Sequence, residues 1–371
     1  MVRALIADSL ASEIRDGLDA LGVEAVELPG VHADELPEHM EGVDILVLGD
    51  TRVSRRAVEA GEQLKLIVRA AHGVDTIDVG AASRRGVFVA HCPGHDADAN
   101  AEVALGLLVA LDRAGAGGAG ARAPGVGLAG RTLGVDGFGP RGRAVARLGA
   151  AMHMRVVVRD AALTDARATE THVQRADDAE ALFRRSDVVV LTGEGQDEGP
   201  VATAERMALL GDDGLLVALG APEIVDLQAA SPRVAAGTLG LGLTQAVEEA
   251  PEGTLVFSPD TVQARREAAA MVIQAVQTLL THGRIPHCVN LASPEAAAPT
   301  LVVRHRNEVG ALAKILAVLQ EQSVNVFDVG TVLFDGAEAA STRLRVGAIP
   351  SPGALTRIRR DDAVFAVELV E

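Results

Sequence analysis

The segment TLGVDGFGPRGRAVARLGAAM, residues 132–152, runs from what reads as a β-strand, through G-x-G-x-x-G, into a helix. Few patterns limit a fold more, because this one works only where a strand delivers the chain to a helix N-terminus. Gly137 permits the tight turn, Gly139 lets the backbone approach a pyrophosphate, and Gly142 lets helix and strand pack closely. Phe138, Pro140 and Arg141 complete the loop, and the helix N-terminus attracts phosphate charge. About twenty residues on, the next strand ends in Asp160, placed to accept hydrogen bonds from a ribose. A carboxylate there favours NAD over NADP, although neighbouring Arg159 could soften the preference. The plain alternative is that the glycines serve a turn and nothing more.

The rest of the chain supplies the sheets such a loop needs. VRALIAD, VEAVELP, ILVLGD, LKLIVRA and VFVAH read as strands, with SEIRDGLDALG and SRRAVEAGEQ as helices between them. After a loop and a long apolar helix (91–113), the Gly/Ala-rich stretch 113–130 reads as a flexible connector. TLGVDGF, RVVVRD, HVQRA, DVVVLTG, GLLVALG and TLGLGL then read as the strands of a second α/β unit, and 261–283 as another long helix. ASPEAAAP, 292–299, looks like a linker. The tail beyond it has the order βαββαβ of a small ferredoxin-like unit.

Charge and composition narrow the function. Lys and Arg number 34 against 51 Asp and Glu, a net charge of −17 that disfavours nucleic acid and anionic membranes as partners. The absence of Trp and Tyr argues against stacking on bases. Cys92 and Cys288 form neither a disulfide framework nor a metal-ligand spacing, so a reducing cytoplasm is expected and no metal site. The N-terminal apolar run is broken by Asp8 and reads as neither signal peptide nor anchor.

RAAHGVDTIDVGAASRRGVFVAHCPG, LGVDGFGPRG, GLLVALGAPEIVD and HGRIPHCVNLA, in that order, resemble the D-isomer-specific 2-hydroxyacid dehydrogenase family. Within it they resemble the D-3-phosphoglycerate dehydrogenase branch that carries a C-terminal ACT domain. The resemblance implies two Rossmann-like doubly wound parallel-sheet lobes plus a ferredoxin-like tail. It implies a substrate-side lobe of 1–92 plus 260–290, an NAD-binding lobe of 93–259 and a regulatory ACT domain of 298–371. A homo-oligomer joined through the long helix after the first lobe and through the tail is also implied.

Oxidising a 2-hydroxy acid needs a guanidinium fork for the carboxylate and a base that titrates near neutrality. Aligned by the resemblance, Ala221 stands where the family has its Arg, and Asp260 where it has its His. An Asp, with a reference pKa of about 3.9, is a poor base near pH 7. The acidic partner of that His falls on Gln245, Glu248 or Glu249, depending on the gap. Leu239-Gly240-Leu241 replaces L-D-V, Thr192-Gly193-Glu194 replaces H-x-P, and Leu48 replaces a phosphate-contacting Arg. Arg69, His72 and His95 are the candidates for a relocated anchor and base, with His91 beside the interlobe crossing; the plainer reading of each is a surface or packing residue.

In the tail, His305, Asn307 and Asn325, with Gly310 opening a helix, match the positions at which serine-inhibited relatives bind the amino acid across a dimer interface. Two readings follow. One is a catalytically impaired chain, a pseudoenzyme or regulatory subunit that binds NAD and L-serine and could pair with an active paralogue. The other is an active NAD-dependent dehydrogenase with a relocated base and a substrate without phosphate. A purely structural role is the third possibility.

Overall fold

The computed structural model describes residues 1–114, 125–193, 199–292 and 298–370. Most of the Gly/Ala-rich connector, Glu194, and most of the 292–299 linker therefore lie outside the described residues. The chain divides into two units, Met1–Asn290 and Leu291–Glu371.

Two parallel sheets build the first unit. Strands β1 (Arg3–Ile6), β2 (Glu24–Glu27), β3 (Ile45–Leu48), β4 (Leu66–Arg69) and β5 (Phe88–His91) lie in the order β2-β1-β3-β4-β5. The strands β6 (Thr132–Asp136), β7 (Arg155–Arg159), β8 (Gln174–Arg175), β9 (Val188–Leu191), β10 (Gly214–Ala218), β11 (Leu239–Leu243) and β12 (Leu255–Val256) form the second, ordered β12-β11-β10-β9-β6-β7-β8. Both orders are doubly wound, and in the second the direction reverses between β6 and β9, where such sheets open a crevice at the strand C-termini. The short β12 is absent from the sequence reading.

Burial on both faces explains why the strands read as unbroken apolar runs. Alternate residues of one strand enter different cores: Leu46 and Leu48 face one layer, Ile45 and Val47 the other. Leu133 and Val135 of β6, with Val188 and Val190 of β9, pack on helices Ala97–Ala114 and Pro140–Ala151. Helix Val262–His282 places Ala268, Val272 and Val276 against Ile14 and Leu18 of helix Ser12–Ala20. These helices approach so closely at Gly17 that a Cβ there would lie 2.3 Å from Ile273 Cδ1. Among the described residues no helix is long and apolar enough to cross a membrane.

The second unit is a four-stranded antiparallel sheet. Its strands β13 (Thr300–Arg306), β14 (Val326–Leu333), β15 (Ala339–Val346) and β16 (Val364–Val370) are ordered β14-β15-β13-β16. With helices Ala311–Glu321 and Pro352–Arg359 contributing Ile315, Leu319 and Ile358 to the core, this is the ferredoxin-like arrangement read from the sequence.

Candidate functional site

The glycine loop is built as its spacing requires. Gly137 has φ +88°, the left-handed region that suits glycine, and its N–H donates to the Arg159 carbonyl at 2.8 Å. A Cβ on Gly142 would lie 2.0 Å from the Gly137 carbonyl oxygen, so only glycine lets the helix start this close to the turn. Gly139 caps helix Pro140–Ala151, with Pro140 in its first turn. Asp160 does more than end its strand. One oxygen accepts the Phe138 N–H at 2.6 Å and the other the Ala162 N–H at 2.7 Å, so this carboxylate holds the loop in shape. Phe138 is buried in the apolar core of this sheet. Below the loop, Arg159 and Asp136, partners in the β6–β7 register, form a buried side-on ion pair.

Beside the loop, within the first unit, lies a cavity of about 370 Å³. One part of its wall carries His95, Asp96, Asn100, Arg141, Gly220, Thr244 and Gln245; another carries Ala70, Ser258, Asp260 and Arg265. Arg141 sits in this wall. Its Nε and Nη2 donate to the two Asp96 oxygens at 3.2 and 2.5 Å. Burial opposes the charge on Asp96, but the Arg141 hydrogen bonds and charge outweigh it and hold the carboxyl below its usual range. His95 Nδ1 lies 2.8 Å from the Cys92 carbonyl. A carbonyl cannot donate, so Nδ1 is the donor in this hydrogen bond.

The other sequence candidates separate. Asp260 lines the cavity, but Arg265 grips both its oxygens side-on through Nε and Nη2, and these hydrogen bonds hold its carboxyl below the usual range. It has no character of a base near neutrality. Ala221 begins the short helix Pro222–Ile224 just past Gly220 and offers a methyl group to the turn. Arg69 is buried, donating to the Gly49 carbonyl at 2.9 Å, the His72 carbonyl at 3.2 Å, Asp50 and Asp75. It ties the loops after β3 and β4 together, and neither it nor His72 lines the cavity. Leu48 is fully buried at the end of β3.

Gly240, read as the replacement for the family Asp, lies inside β11, where a Cβ would meet Leu215 Cδ2 at 2.7 Å. The residue that follows the strand at the cavity is Thr244, whose Oγ1 accepts the Gly220 N–H at 2.9 Å. Thr192 is buried and donates to the Asp136 carbonyl at 2.8 Å. Asp96, Asn100, Thr244 and Arg265 escaped the sequence reading because no local motif marks them; they meet only through the fold.

His72 and His91 stand edge to face with ring centroids 5.5 Å apart, and His91 Nδ1 accepts the Gly73 N–H at 3.0 Å. Burial first, then the charges of His72, His287, Arg69 and His95, push the His91 imidazole down to about 4. Because this lies below the unfolded value of about 6.5, the contribution of His91 to stability is present above about 6.5 and lost as pH falls toward 4. An NMR titration should show its ring protonating near 4, and the urea midpoint should fall between pH 7 and pH 5. A His91 midpoint near 6.5 would contradict the packing described.

In the second unit the His305 ring is enclosed, with Nδ1 bonded to the Arg306 carbonyl and Nε2 to Thr342 Oγ1, both at 2.8 Å. Asn307 and Asn325 are exposed; Asn307 Nδ2 donates to the Ala337 carbonyl, and Asn325 Oδ1 accepts the Val326 N–H. Gly310, with φ +91°, opens helix Ala311–Glu321.

Residues 4–290 match the sequence model of D-isomer specific 2-hydroxyacid dehydrogenase, catalytic domain. The D-3-phosphoglycerate dehydrogenase of Methanocaldococcus jannaschii is 27% identical over 321 residues, 78% of this chain and 60% of that protein. The hydroxypyruvate reductase of Thermotoga maritima is 35% identical over 185 residues, 45% of this chain and 58% of that protein. The chain thus spans about 60% of the length of these curated relatives. The cofactor (NAD+)-bound 3-phosphoglycerate dehydrogenase of Entamoeba histolytica has a similar fold, with a TM-score of 0.66 at 21% identity, covering 79% of this chain and 99% of that one. The chain belongs to the D-isomer specific 2-hydroxyacid dehydrogenase family.

Proposed function

We propose that this family member binds NAD in the Gly137–Gly142 loop and is impaired in the family's hydride transfer, acting as a binding or regulatory protein. The cradle fits the group: the Gly142 helix start tolerates no Cβ, and Asp160 is fixed beside the loop. NAD when bound would supply a hydride acceptor; this chain's own contribution is to hold and orient it. The observation that carries the impaired reading is the pair of replacements at Ala221 and Asp260, the second locked to Arg265.

The tail supports an ACT-like role. Asn307 and Asn325 present amides suited to the ammonium and carboxylate of an amino acid such as L-serine, and His305 acts from beneath by fixing the end of β13. The edge strand β14 exposes Phe327, Val329, Val332 and Leu333, which suits a homo-oligomer joined through the tail, or pairing with an active paralogue.

The test is thermal denaturation with NAD, NADH or L-serine, followed by a turnover assay with D-3-phosphoglycerate. A ligand at a hundred times its Kd should stabilise the chain by about 2.7 kcal/mol. NAD and L-serine should each raise the midpoint, with turnover absent. Oxidation at an ordinary enzymatic rate, about 1 s⁻¹ or faster, would overturn the impaired reading.

A further inference from the structure

We propose that the open face of the tail sheet docks a second copy of this chain, at the acidic β2 edge of that copy's first unit. This is independent of what the glycine loop or the tail's asparagines bind.

Register places the charges. Leu301, Val303, Leu344 and Val367 turn to the core that helices Ala311–Glu321 and Pro352–Arg359 cover. Side chains alternate along a strand, so the residues between them share the opposite face. Pairing sets Val302 opposite Arg343, Thr300 opposite Arg345, Arg304 opposite Ser341 and Arg306 opposite Ala339. Asp328 on β14 lies opposite Arg345, and Glu368 on β16 opposite Val302, on that same face. Four arginines against two carboxylates leave it at +2, on a chain whose net charge is −17. Among the described residues both helices of the second unit lie on the other side, so within the unit this face is open. Val332 and Val370, 65% and 54% exposed, stand among the charges. Every cation on the face is an Arg, and Arg mixed with apolar side chains is the composition of a protein interface.

The matching surface lies on the same chain. Between Ser12 and Asp44 ten acidic residues stand against Arg15 alone, a balance of −9 and more than half of the net charge. Eight of the ten, from Asp16 to Glu41, are exposed. The fold gathers them, because β2 is the edge strand of its sheet. Helix Ser12–Ala20 packs into the layer on one side of that sheet, and the short helix Leu36–His39 into the layer on the other. Two tail faces brought together would set +2 against +2, so the contact is heterologous, basic face on acidic edge. A nucleic acid would carry its charge along its whole length past a chain of −17, whereas a second copy concentrates its charge at one edge.

Sedimentation velocity of the full chain tests this. At about 0.1 M salt the screening length is about 10 Å, which mutes the repulsion between whole copies while facing charges still attract. Near 1 M it is about 3 Å and that attraction is lost. An association step should therefore be present at the lower salt and absent at the higher. Arg306→Glu with Arg343→Glu, and separately Glu24→Arg with Glu38→Arg, should each weaken that step at least about tenfold. All four side chains are exposed, and the two variants probe the contact from its two sides independently. Mixing them should restore the step, because the first variant keeps the acidic edge and the second keeps the basic face. Pairing through the β14 edge, which would rest on backbone bonds and apolar side chains, predicts no such rescue. Association indifferent to salt, wild-type association in either folded variant, or a mixture that stays apart overturns the proposal. So does a chain with no association step at the lower salt, which would assign the basic face to an acidic protein other than itself.

Discussion

Gly142→Ala is expected to abolish the stabilisation by NAD while Gly211→Ala leaves it intact. The added methyl of the first would sit 2.0 Å from the Gly137 carbonyl oxygen and 2.9 Å from its carbon, both backbone atoms that cannot rotate away. Either the helix start or the turn must move. Overpacking of this kind costs about 1–3 kcal/mol in stability. The larger effect falls on the ligand, because moving the turn would withdraw the N–H groups proposed to face the pyrophosphate and break the Phe138 bond to Asp160. Affinity should drop by about a hundredfold or more, some 2.7 kcal/mol. Gly211 has open space around its Cβ position and serves as the matched control. Calorimetry with NAD, beside urea denaturation of both variants, gives the two numbers. Unchanged NAD affinity in a folded Gly142→Ala chain would mean that the loop is a turn and not a cradle.

That the loop could be read from sequence at all reflects its locality. Six consecutive residues carry its geometry, and the strand and helix beside them announce themselves by apolar pattern and propensity. Arg141 shows the limit of such reading. Its number falls inside the motif, and by position it belongs to the phosphate cradle. Where a side chain points depends on what packs beside it, and Asp96, forty-five positions away in sequence, turns it into the cavity wall.

Arg69 fails in the opposite sense. A lone Arg at a strand end beside a histidine has the composition of an anchor, yet the carbonyls of Gly49 and His72 take its donors. Gly240 sits in an L-G-L-G-L strand whose two-residue repeat gives no sign of what packs on it. In the fold a Cβ there would meet Leu215 and Leu111. The ferredoxin-like order of the tail was legible for the same reason as the loop, since each of its elements is short and differently patterned. His305 was not, because its burial depends on Thr342, a strand away.

Arg159→Leu should be among the most damaging substitutions in the first unit, costing about 3–5 kcal/mol. The Asp136 side chain is only 4% exposed and that of Arg159 17%, and they face each other across adjacent parallel strands. Removing the guanidinium leaves a carboxylate in the interior without the charge opposite it, and that desolvation penalty is what the single variant measures. Asp136→Leu with Arg159→Leu together removes both charges and should recover much of the loss, so the two changes are not additive. A single-variant cost below about 1 kcal/mol would show that the pair is solvated or replaceable. The pair matters for function because of where its strands lead. Asp136 immediately precedes Gly137, and Arg159 immediately precedes Asp160 and accepts the Gly137 N–H through its carbonyl. An ion pair at this point holds together the two strand ends that carry the loop and its carboxylate. The double variant should therefore fold but bind NAD more weakly than the wild type, separating the stability of the sheet from the shape of the cradle it presents.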